Sequence, residues 1–359
     1  MIEFLKQHKV IICAGTRGVG KTSISASLGV LAAREGLITL VLTIDPAQRL
    51  AQSLGIEKPD GADVEVKGQP KLHAAMIDAR REFDEFVLGS VDKGIAKELF
   101  ENRLYQQLVS NLSGSQEFTS LTRLLHSHQS GRYDLIILDT PPTQNAVDFL
   151  RAPERIYALF QDSVVGWFAN PEQDEGWIKR TLHRGTRLVT SALENVTGST
   201  FIAELKSFFN HVSHLRGRIA SVSRDVASLL HAPTTGFILV TGFDEAKRKE
   251  ALEFQSDLAQ ERLNLRAVVV NRWFPQWSEG ERLWPEAWDA QPDFQKLKEL
   301  HSKFMQYFKH RQDIFVKLQS QLSGSVRVIK LPDFAQSVQG LEDLGQMAGT
   351  IDEKWRSQS

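Results

Sequence analysis

The segment GTRGVGKT at 15–22 places Gly15, Gly20, Lys21 and Thr22 in the pattern Gly-x-x-x-x-Gly-Lys-Thr. That spacing suits one ligand chemistry, a nucleotide polyphosphate. Glycines let successive backbone N–H groups turn inward around phosphate oxygens, at the positive end of the helix that follows. In such a loop the lysine holds the β- and γ-phosphates and the hydroxyl ligates Mg²⁺. Gly15, Thr16, Gly18, Val19, Gly20, Lys21, Thr22 and Ser23 are the candidate phosphate-binding residues, and Lys21 is also a catalytic candidate. The competing reading is a glycine-rich turn without a ligand.

Such a loop needs carboxylates nearby, and two strand-like runs end in one. ITLVLTID (38–45) ends at Asp45 and YDLIILD (133–139) ends at Asp139. In open α/β sheets ligands sit at the carboxyl ends of the strands, so both acids are expected to face the crevice of Lys21. Asp139 suits an outer-shell Mg²⁺ holder, and Asp45 suits orienting or activating the attacking water. The candidate metal set is Thr22, Asp45 and Asp139, and Asp45 is a catalytic candidate. A lone aspartate at a strand end more often caps the next helix; three such ends at one crevice favour a site.

The elements that must position these groups follow from the hydrophobic pattern. KVIICAG (9–15), KLHAAMID (71–78), GFILVT (236–241), RAVVVN (266–271) and VRVIKL (326–331) join the two runs above as candidate strands. Most are apolar throughout, as strands covered on both faces are. Alternation with helical stretches predicts an α/β fold, a doubly wound and mostly parallel sheet of the phosphate-loop type. TSISASLGVLAAREG (22–36) is expected to leave the loop as an amphipathic helix ending at Gly36. Residues 81–130 and 146–231 carry no strand signal. In 201–229, Phe201, Leu205, Phe208, Val212, Leu215, Ile219, Val222, Val226 and Leu229 alternate steps of four and three, which predicts one long helix. The expected organisation is a core at 1–80, 131–150 and 232–348, helical insertions at 81–130 and 151–231, and a tail at 349–359.

Composition narrows the function classes. Of 359 residues 42% are hydrophobic and 24% charged, with net charge −1, which is ordinary for a soluble globular protein and leaves no electrostatic footprint for nucleic acid. The single cysteine, Cys13, excludes an intrachain disulfide and reads as a buried strand residue. No apolar run approaches the roughly 20 residues of a membrane span, and MIEFLKQHKV has no signal architecture. A cytoplasmic address without stable membrane insertion is expected.

Taken together, GTRGVGKTS, TIDPAQRLAQSLG and DTPPTQNAVDFLRAPERI resemble the deviant-Walker ATPases of the SIMIBI class. The chain is most similar to the arsenical pump-driving (ArsA) family, which includes the eukaryotic ATPase that delivers tail-anchored membrane proteins, and within it to the bacterial anion-transporting-ATPase-like branch. The resemblance implies an ATP- and Mg²⁺-dependent dimer, homomeric or with a homologous ATPase, whose closure on nucleotide moves helical subdomains. It implies roles for Asp45 in switch I and for Asp139 with Thr143 in switch II. It also makes Asn271 the adenine reader and LPDF (331–334), with Pro332, Asp333 and Phe334, the loop over the base. A guanine reader would carry Asn/Thr-Lys-x-Asp. TGFD (241–244) lacks the lysine and NRWF (271–274) lacks the aspartate, so ATP is favoured over GTP.

The departures are specific. Relatives usually carry a signature lysine where Thr16 stands, reaching the partner's phosphates. Arg17 is then a third catalytic candidate, acting in trans; a lysine-bearing paralogue or a solvent-facing Arg17 are the alternatives. Gln48 and Asn145 stand where close relatives often have histidine or another polar residue. The cysteines of arsenite regulation, the Cys-x-x-Cys zinc pair and a methionine-rich groove are absent, and the apolar residues of the helical insertions are Phe, Leu and Val. The bland readings hold elsewhere: tryptophans 273, 277, 284 and 288 pack beside the base loop, His211/His214 and His126/His128 bind no metal, and DEAKRKE (244–250) is a solvated helix face. The expected function is an ATPase switch for a hydrophobic client, with a regulatory subunit, an anion-efflux subunit or a positioning ATPase as rivals.

Overall fold

All seven β-branched runs form strands of one eight-stranded sheet in a computed structural model. The structure describes the chain except residues 17, 45–53, 55–60, 107–114, 141–148, 150, 160–198, 243, 274–287, 289–291, 335–337, 339 and 358–359. The strands are β1 (Val10–Ala14), β2 (Thr39–Thr43), β3 (Val64–Val66), β4 (Gln69–Met76), β5 (Leu135–Asp139), β6 (Thr235–Thr241), β7 (Leu265–Trp273) and β8 (Arg327–Pro332). Their order is β3-β4-β2-β5-β1-β6-β7-β8. Every neighbouring pair is parallel except β3 with β4. β1, β2, β5 and β6 are buried at every residue, which is why their sequences lack alternation. β3 went unforeseen because three residues are too few to show a period. It joins β4 through the Lys67–Gly68 turn, with Gly68 at φ +82°.

In chain order the helices are α1 (Ile2–Gln7), α2 (Lys21–Arg34), α3 (Ala79–Leu88), α4 (Lys93–Glu101), α5 (Ser115–Gln129), α6 (Ala152–Leu159), α7 (Ser199–Ser213), α8 (Arg216–His231), α9 (Glu245–Gln260), α10 (Pro292–Gln321) and α11 (Leu341–Arg356). The chain divides into two compact units. One comprises Met1–Met76, Ser127–Val147 and Leu230–Ser359; the other comprises Ile77–His126 and Asp148–Leu229.

In the first unit α2 is not the amphipathic helix expected. Lys21 and every residue from Ile24 to Ala33 are buried, because α2 packs against β2, β4 and β5 on one side and α11 on another. Gly29 makes that approach possible, since a Cβ there would lie 2.5 Å from Val41 Cγ2. Ser25 and Ser27 supply small side chains within the buried surface, hiding its apolar character from the sequence. The helix ends in a Schellman turn, with Leu37 N–H bonded to Ala32 O at 3.1 Å and Gly36 N–H to Ala33 O at 3.0 Å.

The described elements of the second unit are helices. The single helix expected over 201–229 is two, α7 and α8, broken at His214 and Leu215. His214 N–H bonds to His211 O and Leu215 N–H to Val212 O, a tightened i→i−3 turn. The Ser213 hydroxyl donates to the Asn210 carbonyl at 2.5 Å, a back-bond that bends helices. The apolar spacing survives the break: Phe208, Val212, Leu215, Ile219, Val222, Val226 and Leu229 are all buried. His211 is occupied by Glu98, 3.0 Å away. Phe83, Phe86, Tyr105 and Phe118 form an aromatic cluster in the same unit. Among the described residues no helix is long and apolar enough to cross a membrane.

Candidate nucleotide site

β1 is a central strand, and the chain leaves its carboxyl end through Gly15 into α2. Gly15, Gly18 and Gly20 all have positive φ, so the loop takes a path L side chains resist. Gly20 is the sharpest case. It caps α2 in the left-handed region (φ 91°, ψ 22°), and a Cβ there would collide with the Asn271 amide. The Lys21 side chain folds back over the loop, its Nζ donating to Thr16 O at 3.0 Å. Val19 is buried and Ser23 half-buried.

The pairing register brings Cys13, Thr43 and Asp139 level, since Asp139 is opposite Cys13 on one side and Thr43 on the other. Asp139 Oδ2 accepts from Thr22 Oγ1 at 2.7 Å and from Thr43 Oγ1 at 3.0 Å. The acid is 2% exposed. Thr22 and Asp139, two of the three expected metal residues, are thus brought together. Thr140 Oγ1 donates to Cys13 O at 3.1 Å, extending the bonds between these strand ends. Burial pushes the Cys13 thiol up to about 12, against the opposing effects of a Ser25 hydrogen bond and the Lys21 charge. At that value it is neither nucleophile nor metal ligand near neutral pH.

Asn271 is buried at 7% exposure, and its Nδ2 donates to Val19 O at 2.8 Å. In this state it braces the loop. Beside it opens a cavity of about 350 Å³ lined in part by Gly18, Val19, Asn271, Trp273 and Asp333. Asp333 N–H donates to Trp273 O at 3.0 Å, tying the end of β8 to that of β7. Of the expected base loop, Asp333 lines the cavity. Pro332 is buried as the last residue of β8, and Phe334 packs against the core. Arg272, also lining the cavity, sits at φ +56° where the β7–β8 register shifts, so a bulge aims it there.

Several lining residues were missed from sequence: Thr241, Asp244, Lys247, Phe308 and Arg311. DEAKRKE is also more than a solvated face. Asp244 caps α9 by accepting from Lys247 N–H at 2.9 Å, and Lys247 Nζ reaches Thr16 Oγ1 at 2.5 Å. Glu245, Ala246 and Lys249 are exposed, as the plain expectation has it, while Arg248 is half-buried and donates to Gln321 Oε1 at 2.6 Å. A lysine three residues after the TGFD stretch was the available signal, but nothing in spacing tells that it turns inward. Arg17, Asp45, Gln48, Thr143, Asn145, Trp277 and Trp284 lie outside the described residues. Among the described residues no cluster of three His, Cys, Asp or Glu could hold a metal alone.

The sequence profile of a family described as anion-transporting ATPases matches residues 8–353. A putative arsenical pump-driving ATPase 1 from Aquifex aeolicus is 23% identical over 351 residues, covering 96% of this chain and 78% of that one. ATPase GET3C from Arabidopsis thaliana is 26% identical over 291 residues, 76% of this chain and 68% of that one. An ATPase ASNA1 homolog 2 from Paramecium tetraurelia is 34% identical over 145 residues, covering 40% of this chain and 44% of its own length. With a glycine-rich loop between β1 and α2, an aspartate at the end of β5 and a match along nearly its whole length, the chain belongs to the anion-transporting ATPase family.

Proposed function

We propose that this chain binds ATP with Mg²⁺ and hydrolyses it by attack of water on the γ-phosphate. The observation that carries the reading is the bond between Thr22 Oγ1 and Asp139 Oδ2, below a loop whose lysine lies along it. These two oxygens are hard donors of the kind Mg²⁺ takes, together with substrate phosphates and water. Thr22 would hold the ion directly and Asp139 through its outer shell. When bound, it neutralises charge on the phosphates.

The chain's own groups divide the remaining work. Backbone N–H groups of Gly18 to Lys21 wrap the phosphates, and Lys21 exchanges Thr16 O for a phosphate oxygen. The adenine enters the cavity beside Asn271 and Asp333, where the Asn271 carboxamide oxygen accepts from the adenine amine. Asp45 orients the water. As in the family it resembles, two copies or one copy and a homologue close on the nucleotide, and the helical segments 81–130 and 151–231 move with it. A hydrophobic client is the proposed cargo, handled in the cytoplasm. A second reading, an energising subunit for anion efflux, is favoured by the similarity to the putative arsenical pump-driving ATPase of Aquifex aeolicus.

The test is Mg-ATP hydrolysis across protein concentration, with Lys21→Ala alongside. Turnover that needs Mg²⁺ and Lys21 supports the reading; absence of any Lys21-dependent nucleotide binding overturns it. Co-purification with apolar peptides against stimulation by oxyanions separates the two purposes.

A further inference from the structure

We propose that Lys247 is a second phosphate-directed lysine of this site, supplying from α9 the positive charge that Thr16 does not carry. The inference rests on the nucleotide reading above and adds to it a residue outside the phosphate-loop motif.

Thr16 is gripped by two ammonium groups. Lys21 Nζ donates to its carbonyl oxygen at 3.0 Å and Lys247 Nζ to its hydroxyl at 2.5 Å. Only Lys21 belongs to the loop; Lys247 comes from 231 positions away. Its placement is built rather than incidental. β6 pairs with β1 in parallel, Ala14 opposite Leu239, so the carboxyl end of β6 stands beside the start of the loop. The Lys247 amide is fixed by Asp244 at 2.9 Å, and its carbonyl accepts from Thr241 Oγ1 at 3.3 Å. Its stem runs over Gly242, where an added Cβ would meet Lys247 Cγ at 3.4 Å. The side chain is 23% exposed and lines the same cavity as Gly18 and Val19.

The charge is only partly offset where it stands. Lys247 lies in the first turn of α9, where the helix dipole disfavours a cation. Glu250 offsets part of this, its Oε2 2.8 Å from Nζ but 39% exposed. The other partner, the Thr16 hydroxyl, is neutral. A phosphate oxygen adds the full opposite charge that neither Thr16 oxygen carries, so a triphosphate competes well for both lysines. Lys21 reaches the β- and γ-phosphates in such loops, and Lys247 meets it at Thr16, on the loop side of the cavity whose Asn271 and Asp333 side takes the base, so its target is the terminal phosphate end. Its flexible four-carbon stem allows the transfer from Thr16 Oγ1 without moving α9.

A plain structural strap is the competing role, and the test separates them. Lys247→Ala, Lys247→Arg and the double variant Thr16→Lys/Lys247→Ala are compared with wild type and Lys21→Ala. The readouts are affinity for a fluorescent ATP analogue, affinity for the corresponding ADP analogue, and Mg-ATP turnover. Lys247→Ala is expected to weaken ATP about tenfold while leaving ADP within about twofold, as loss of one charge-assisted bond at the terminal phosphate requires. Turnover falls on the order of 10²-fold; arginine retains most of it, and Thr16→Lys restores it. Equal ATP and ADP affinities relative to wild type in Lys247→Ala, or equal weakening of both with no rescue by Thr16→Lys, overturns the proposal and leaves a strap. Should Lys21→Ala bind both analogues as wild type does, the nucleotide reading itself fails, a result distinct from either.

Discussion

Gly20→Ala is the perturbation whose consequences the loop geometry specifies most closely. Gly20 lies at φ 91°, and an alanine held there costs about 1–2 kcal/mol. Its Cβ also enters the space of Asn271 Nδ2, so the amide must leave. That breaks the bond to Val19 O and strands buried polar groups, a cost of about 1–3 kcal/mol. Gly20→Ala should therefore lose roughly 2–5 kcal/mol. Asn271→Ala alone loses the same hydrogen bond, about 1–3 kcal/mol, without the backbone strain. In the double variant the amide is already gone, and only the strain is added. The two effects are then subadditive by about 1–3 kcal/mol, the energy of the shared bond. Urea unfolding of all four proteins, followed by circular dichroism with a common slope, measures this. Additivity within about 0.5 kcal/mol would show that Gly20 and Asn271 do not share that contact, and the brace assigned to Asn271 would be refuted.

Three further outcomes follow from the same geometry. Asp139→Asn should lower turnover about 10–100-fold and raise the Mg²⁺ concentration needed for half-activity, the usual cost of losing an outer-shell partner; unchanged Mg²⁺ dependence contradicts the role. Cys13, fully buried with its thiol pushed up to about 12, should resist a thiol reagent at pH 8 in the native protein and react at once in urea; rapid native labelling is the contrary result. His8 and His73 are held below the usual histidine value, first by burial and then by Arg266 and Arg132 respectively. A lowered folded value favours the neutral ring, so this stability is present above the unfolded value of about 6.5 and is lost as pH falls through it. The urea midpoint should drop between pH 7.5 and 5.5, less so in His73→Phe, and a flat profile for wild type refutes the assignment.

What could be read in advance depended on whether a residue's role was local. Strands such as Ile11–Cys13 and Ile136–Leu138 were legible because burial on both faces writes itself as an unbroken apolar run. The loop between β1 and α2 was legible because its turn needs glycines at positive φ, which the Gly-x-x-x-x-Gly-Lys-Thr spacing marks. β3 was not, being three residues long, and the break between α7 and α8 was not, because a tightened turn preserves the four-and-three spacing that marks a continuous helix. The burial of α2 from Ile24 to Ala33 depends on α11, far along the chain, and on Gly29 and two serines that lower its apparent hydrophobicity. Lys247 was hidden in a charge run. Its direction is set by a cap at Asp244 and by the pairing of β6 with β1, neither of which leaves a mark near position 247. Phe308 and Arg311 reached the cavity in the same way, from a long helix whose sequence looks like an ordinary mixed surface.

The polar groups of the site share one further property. Lys21 is bonded to Thr16 O, Lys247 to Thr16 Oγ1, Asn271 to Val19 O and Thr22 to Asp139. These acceptors on the loop are neutral backbone and hydroxyl oxygens, while the carboxylates of Asp139 and Glu250 accept from Thr22 and Lys247. Ligand binding here is an exchange of hydrogen bonds, so a neutral ligand of the same shape gains little, while an anionic one gains at the two ammonium groups. On the proposed reading, selectivity for a polyphosphate comes from what the loop already holds without it. The Asp139 carboxylate would repel the same phosphates unless a cation stood between them, which is the physical reason to expect nucleotide affinity to be linked to Mg²⁺ at this site.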